Sequence, residues 1–335
     1  MSELRWPEGK IAAAAFTFDV DAESAVLWGN ESVAARMSVM SHQAYGPLVG
    51  IPRILDLLDR HQIRSTFFVP GHTAHRYPEA VRSIVAAGHE IAHHGYLHEQ
   101  PTALTLEEEI EALDRGLEAL AEVAGVRPSG YRAPMWDLSW RTPELLAERG
   151  FLYDSSLMDS DHPYELAVGE RSLVEIPIQW ALDDWEQYCY LPDIYSGTIE
   201  SPRKARELWQ LEFDALRSAG ACWVLTNHPF LTGRASRAAE LGDLMRYVVE
   251  HTDVWTTSLG EIELELEAEK APVSVENFLG YVDDLESYLR TVRLGLIPDD
   301  IGGGFKLRAL THIFQRVPML ALSKAMRGMT LRENV

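Results

Sequence analysis

Short apolar runs rich in β-branched and aromatic residues alternate with helical patterns along most of the chain. "KIAAAAFTF" predicts a first strand. "IPRILDLLDRH" has the apolar spacing of an amphipathic helix and leads into a second strand, "IRSTFFVP". "PEAVRSIVAAG" predicts a helix that starts on proline and stops on glycine, and "HEIAHH" a third strand. The helix "TLEEEIEALDRGLEALAEVAG" opens on a capping-box pattern, Thr105 followed by Glu108. The strand "SGYRAP", the helix "RTPELLAERG" and the strand "FLYDSS" come next. "LVEIPIQW", the helix "PRKARELWQLEFDALRSAG", the strand "ACWVLTNHP", a helix around "AAELGDLMRYVVEH" and the strand "DVWTTS" close the series. About seven or eight such alternations predict an α/β fold with a parallel sheet, and at this length a (β/α)7-8 barrel rather than an open sheet.

Two regions break the rhythm. Between "DVD" and "IPRILDLL" lie about 30 residues without strong periodicity. A segment this long in a compact domain is expected to be a functional loop, with Trp28, Met37, Met40 and Tyr45 as candidates to line a small site. From about Leu259 an acidic stretch leads into "VENFLGYVDDLESYLRTVRLG", then "IPDDIGGG", then a basic amphipathic end interrupted by Pro318. The expected division is a catalytic barrel over 1–260 and a helical C-terminal extension over 261–335. That extension either packs on the barrel or makes a homo-oligomer contact.

Composition narrows the class of protein. The chain has 335 residues, is 46% hydrophobic and carries a formal charge of −21, which disfavours nucleic-acid and anionic-membrane partners. Two cysteines, Cys189 and Cys222, lack metal-site spacing and suit buried thiols in a reducing compartment. "IAAAAFTF" lacks the flanks of a signal peptide, and no apolar run reaches the roughly 18 residues that span a bilayer. A cytoplasmic enzyme is the expectation.

Barrel chemistry collects where strands end, and here those ends are polar. Strand one ends in Asp19 and Asp21, the third in "HHGYLHE", the next in Arg132. "EIPIQWALDDW" runs into Asp183 and Asp184, and "WVLTNHPF" ends in His228. His94 and His98 lie four positions apart, so a helical turn or tight loop puts both imidazoles on one side. By themselves they are as well read as a polar turn as a ligand pair. With one carboxylate added they make a two-histidine, one-carboxylate site suited to catalytic zinc or another divalent ion. His89 and His93 share the spacing but fall at the start of the strand and within it, where a structural role is expected. Asp19 and Asp21, one residue apart, point to the same side, so one can bind a cation while the other stays free as a base.

Five ordered stretches, "TFDVD", "HHGYLHE", "YRAPMW", "WALDDW" and "TNHPF", resemble the polysaccharide deacetylase family, carbohydrate esterase family 4, over roughly residues 10 to 260. The resemblance implies a distorted β/α barrel and a divalent metal cofactor, zinc first, with cobalt, nickel or manganese as alternatives. It implies Asp21, His94 and His98 as metal ligands, Asp19 as general base, and Arg132 as the group that orients Asp19. His228 would be the general acid, paired with Asp183 or Asp184. Trp136 would form a pocket wall, with Tyr131 and Trp28 as further substrate contacts. "HGYxHE" and "YDSSL" are similar to a branch holding Helicobacter-type peptidoglycan deacetylases and allantoinase and cyclic-imide hydrolase relatives. Within "YDSSL", Asp154 is expected to be structural, or else to support the site residues from behind. The implied reaction is hydrolysis of a non-peptide C–N bond in an N-acetylated sugar, a glycan or a small amide. The alternatives are ring opening of a cyclic imide, or a metal-free binding protein on the same barrel.

Overall fold

The computed structural model describes Trp6, Pro7 and residues 9–270, the last four by backbone alone, together with two short strands further on. Strands β1 (Ala12–Asp19), β2 (Thr66–Val69), β3 (Glu90–His93), β4 (Gly130–Tyr131) and β5 (Tyr153–Asp154) are followed by β6 (Tyr164–Val168) and β7 (Arg171–Glu175). β8 (Cys222–Asn227) and β9 (Val254–Thr256) complete the sheet. The order is β6-β7-β5-β4-β3-β2-β1-β8, with β9 also on β1. Every pairing is parallel except β6 with β7. β8 covers Ala13–Phe18 on one side of β1. On the other side β2 takes Thr17–Asp19 and β9 takes Ala12–Ala14. Splitting that edge between two strands distorts the barrel.

Side-chain parity sorts the two faces of the sheet. Ala12, Ala14, Phe16 and Phe18 join the outer core under the helices. Ala13 and Ala15 join the inner core with Phe68, Val174 and Val224. Continuing the inner series, Thr17 and Asp19 face the barrel mouth. Buried on both sides, these strands read as continuous apolar runs, and burying each phenylalanine contributes about 1.5–3 kcal/mol.

Twelve helices follow in chain order among the described residues. α1 (Ser24–Leu27) and α2 (Met37–Tyr45) occupy the aperiodic segment, and α3 (Ile51–His61), α4 (Gly71–Arg76) and α5 (Pro78–Ala86) come next. α6 (Leu106–Ala124), α7 (Thr142–Glu148), α8 (Trp185–Tyr188), α9 (Pro202–Ser218), α10 (Pro229–Thr232), α11 (Ala235–Glu250) and α12 (Leu259–Lys270) complete the set. The capping box forms as expected: the Glu108 N–H donates to Thr105 Oγ1 at 3.3 Å, and the Thr105 N–H donates to Glu108 Oε2 at 2.8 Å. α12 crosses residue 260 and puts Leu259, Ile262 and Leu266 into the inner core.

The aperiodic segment is helical rather than a loop, which corrects the sequence expectation. α2 buries only Val39 and Gln43, so it carries no apolar stripe for periodicity to register. A π turn, Gly46–Gly50, joins it to α3. At Gly50 a Cβ would meet the Pro229 carbonyl oxygen at 2.2 Å, so glycine lets this segment lie against the end of β8. The side chains proposed to line a small site go elsewhere. Met37 is 85% exposed, Met40 packs on the outer core, and Tyr45 lies under the Arg234 guanidinium at 3.6 Å.

The chain divides into two compact units, Met1–Lys270 and Ala271–Val335. In the second, Gly295–Ile297 and Met319–Ala321 form a parallel strand pair where helix was expected. The remaining helical and homo-oligomer expectations for 271–335 lie outside the described residues. Among the described residues, no helix is long and apolar enough to cross a membrane.

Candidate active site

Asp19, Asp21, His94, His98, Arg132, Asp183, Asp184 and His228 are all buried and meet at the C-terminal ends of β1, β3, β4 and β8. Asp21 stands just past β1. Its backbone carbonyl accepts hydrogen bonds from Ser24 Oγ (2.6 Å) and Thr73 Oγ1 (2.8 Å), fixing where the carboxylate points. Asp21 Oδ1 lies 3.5 Å from His94 Nε2, and Oδ2 lies 3.5 Å from His98 Nε2 and from His228 Nε2. Neither carboxylate oxygen has a hydrogen-bond donor, although both are buried.

His94 and His98 arrive by different local structures. His94 follows β3, and its Nδ1–H donates to the Arg132 carbonyl at 2.7 Å. A carbonyl only accepts, so Nδ1 carries a proton and Nε2 is the nitrogen turned toward Asp21. His98 reaches the same place from a tight loop with φ +61°. Glu99, which had no expected role, holds that loop by accepting from the Tyr96 and Leu97 N–H groups at 2.9 and 2.8 Å. Burial pushes the His98 imidazole down to about 4, against the pull of Asp21, so His98 offers a lone pair at neutral pH.

This donor set fits a divalent cation. Ligand atoms about 2.0–2.1 Å from a tetrahedral ion lie about 3.4 Å from one another, close to the 3.5 Å separations around Asp21. Unpaired buried acceptors facing imidazole lone pairs are costly without a cation between them. The second Asp/His cluster, Asp183, Asp184 and His228, is different because hydrogen bonds occupy it. Asp184 Oδ1 accepts from the His228 N–H (2.9 Å) and His228 Nδ1 (2.7 Å), and Oδ2 from the Thr232 N–H (3.1 Å) and the Thr232 hydroxyl. Asp183 Oδ1 accepts from the Trp185 N–H at 2.8 Å and lies 3.5 Å from His228 Nδ1. Of the two aspartates left open by the sequence, Asp184 makes the hydrogen bond to His228. Burial draws the His228 imidazole down, but Asp183, Asp184 and Asp21 outweigh it and hold His228 well above the usual histidine range.

Arg132 is fully buried and uses its whole guanidinium. Nη1 donates to Asp19 Oδ1 (2.8 Å) and Thr17 Oγ1 (2.9 Å), Nε to the Ser155 carbonyl (3.0 Å), and Nη2 to Ser155 Oγ (3.0 Å). Burial favours the protonated Asp19 carboxyl, yet Arg132, with His94 and His228, holds it below the ordinary carboxylate range. Asp19 therefore stays ionised, 4.0 Å from His94 Nε2.

Trp136 lies in the inner core and stacks on Trp180 with ring centroids 4.6 Å apart. Tyr131 does not join the site. It precedes the inward-facing Arg132, so strand alternation turns it outward, where its ring packs on His93 and Phe151. Trp28 is half-buried at the end of α1, and among the described residues no ring contact joins it to the Asp/His group. Sequence reasoning missed Thr17, Ser155, Thr232 and Trp180. A lone hydroxyl or an exposed tryptophan carries no spacing signal that marks a partner far along the chain.

A family model for polysaccharide deacetylase matches residues 44–153. A Helicobacter pylori protein named peptidoglycan deacetylase is 31% identical over 277 residues, spanning 74% of this chain and 94% of that protein. The chain belongs to the polysaccharide deacetylase family. A Mycobacterium smegmatis structure described as a polysaccharide deacetylase is 60% identical, covers 80% of this chain and 94% of its own, and superposes with a TM-score of 0.79. The structure of Puue allantoinase is 27% identical, covers 80% of this chain and 95% of its own, and superposes at 0.70. The family thus includes hydrolases of amide C–N bonds, and its distorted barrel is the fold seen here.

Proposed function

We propose that the chain is a divalent-metal-dependent amide hydrolase that removes an acyl group from an N-acetylated sugar, a glycan or a similar small amide. The observation that carries this reading is the Asp21 carboxylate, buried without a donor among imidazole Nε2 atoms at 3.5 Å. Asp21, His94 and His98 would hold the ion, with zinc first among candidates for this two-nitrogen, one-oxygen set and cobalt, nickel or manganese as alternatives. When bound, the ion supplies Lewis-acid polarisation of the acyl oxygen and acidifies the attacking water. Asp19, ionised and aimed by Arg132, takes the proton from that water. His228 gives a proton from Nε2 to the leaving nitrogen, while Asp184 holds its Nδ1–H. Trp136 and Trp180 offer an aromatic wall.

The likeness to Puue allantoinase favours a second reading, ring opening of a cyclic amide or imide by the same groups. Two buried, unpaired cysteines suit a reducing compartment, and the cytoplasm is the location we propose.

The test is a substrate screen of N-acetylglucosamine oligomers against succinimide and hydantoin, with metal analysis of the purified protein. Asp19→Asn should abolish turnover and keep the metal, whereas His94→Ala should lose both. Equal metal loss in the two variants, or no uptake of any of the four metals by the wild type, overturns the proposal.

A further inference from the structure

Behind Arg132 lies a second acidic pair that the hydrolytic scheme does not use. Asp154 ends β5 and Glu175 ends β7, and the two are register partners in the sheet. Both are fully buried, and Ser156 bridges them, its N–H on Glu175 and its hydroxyl on Asp154. Asp154 Oδ2 and Glu175 Oε2 are buried without a hydrogen-bond partner. Two buried carboxylates side by side cannot both stay ionised, so the pair must hold one proton.

The remaining oxygens connect this pair to the active site. Glu175 Oε1 accepts from the Ser156 and Leu157 N–H groups at 3.1 and 2.9 Å. Asp154 Oδ1 accepts from Ser156 Oγ at 2.8 Å, and Ser156 Oγ accepts from the Ala133 N–H at 2.9 Å. Ala133 opens the turn that carries Met135 and Trp136, both at positive φ (+61° and +54°), a costly backbone for non-glycine residues. Ser155, between the two anchored residues, makes both bonds that hold the back of Arg132.

We propose that Asp154 and Glu175 form a proton-sharing pair that acts as a positioning device, fixing Ser155 and Ser156 so that Arg132 aims Asp19 and the 133–136 turn presents Trp136. This deepens the hydrolase reading and rests on it for the role of Asp19. Burial, reinforced by the Asp154 carboxylate, pushes the Glu175 carboxyl well above the usual range, so Glu175 is the member that carries the proton. The charged and titratable groups next to the pair are Tyr131 on β4, the Arg132 guanidinium just past it, and Tyr164 on β6. With its folded value raised, Glu175 contributes stability that is complete at acid pH and is lost as pH rises through that value.

Glu175→Gln keeps a donor and cannot ionise, whereas Glu175→Ala removes the link. Infrared spectroscopy at neutral pH should show a protonated-carboxyl band in the wild type that disappears in Glu175→Gln. Glu175→Gln should keep kcat within about twofold and lose the alkaline decline in stability. Glu175→Ala should lower kcat by on the order of 10- to 100-fold, the scale of an ångström's misplacement, with KM changed far less. If Glu175→Ala fails to fold, Ser156→Ala tests the same chain through Ala133 and should lower kcat in the same direction. A band that survives in Glu175→Gln, or equal damage from glutamine and alanine, overturns the proposal. A wild type inactive on every substrate sinks the hydrolase reading, and the infrared and pH-stability arms still decide the pair.

Discussion

The paired histidines of "HHGYLHE" should separate under acid. His93 is fully buried, with its Nε2–H on the Leu113 carbonyl at 3.0 Å and its Nδ1 accepting from the Gly95 N–H at 3.2 Å. Burial pushes this imidazole down to about 3 from the ordinary 6.5. The folded state therefore refuses a proton that the unfolded chain accepts, and stability is lost as pH falls from about 6.5 toward 3. At pH 5 the unfolded chain has gained about 1.5 pH units of protonation, worth about 2 kcal/mol at 1.36 kcal/mol per unit; the full span reaches about 5 kcal/mol. His93→Gln removes the titration. Urea unfolding at pH 7 and pH 5 should show the wild type losing about 2 kcal/mol more than the variant. Metal content of His93→Gln should match wild type, because the imidazole facing Asp21 is that of His94. An equal acid loss in both proteins, or metal loss in His93→Gln like that of His94→Ala, would refute this account.

Two further outcomes test the surroundings of the site. Gly116→Ala would place a Cβ 2.2 Å from His93 Nε2 and 2.8 Å from the Gly95 carbonyl. The overpacking, about 1–3 kcal/mol, should exceed the roughly 1 kcal/mol gain in helix propensity; a lower urea midpoint and weaker metal retention should both be measurable. Trp180 is 49% exposed and stacks on Trp136. Trp180→Ala should leave stability nearly unchanged and raise KM about 2- to 12-fold, the worth of one aromatic pair; a fall in kcat at constant KM would count against a binding role.

The sequence by itself determined the strand–helix alternation, because period-2 and period-3.6 patterns are local properties of a chain that buries one or both faces of each element. It also showed the polar strand ends, since Asp19, Asp21, His94, His98, Arg132 and His228 lie at or shortly after segments with strand patterning. Tertiary structure decided what those groups touch. The choice of Asp184 over Asp183 depends on which carboxylate faces His228 across β8, and adjacent residues look alike in sequence. The outward turn of Tyr131 follows from strand parity, which a two-residue strand is too short to display. α2 was hidden because it buries two residues and shows no stripe. Asp154 and Glu175 lie 21 positions apart, and only strand pairing makes them neighbours. Local patterning fixes each element, but partners from distant strands meet only when the sheet curls. Burial then makes each unpaired oxygen at the barrel mouth demand a proton or a cation.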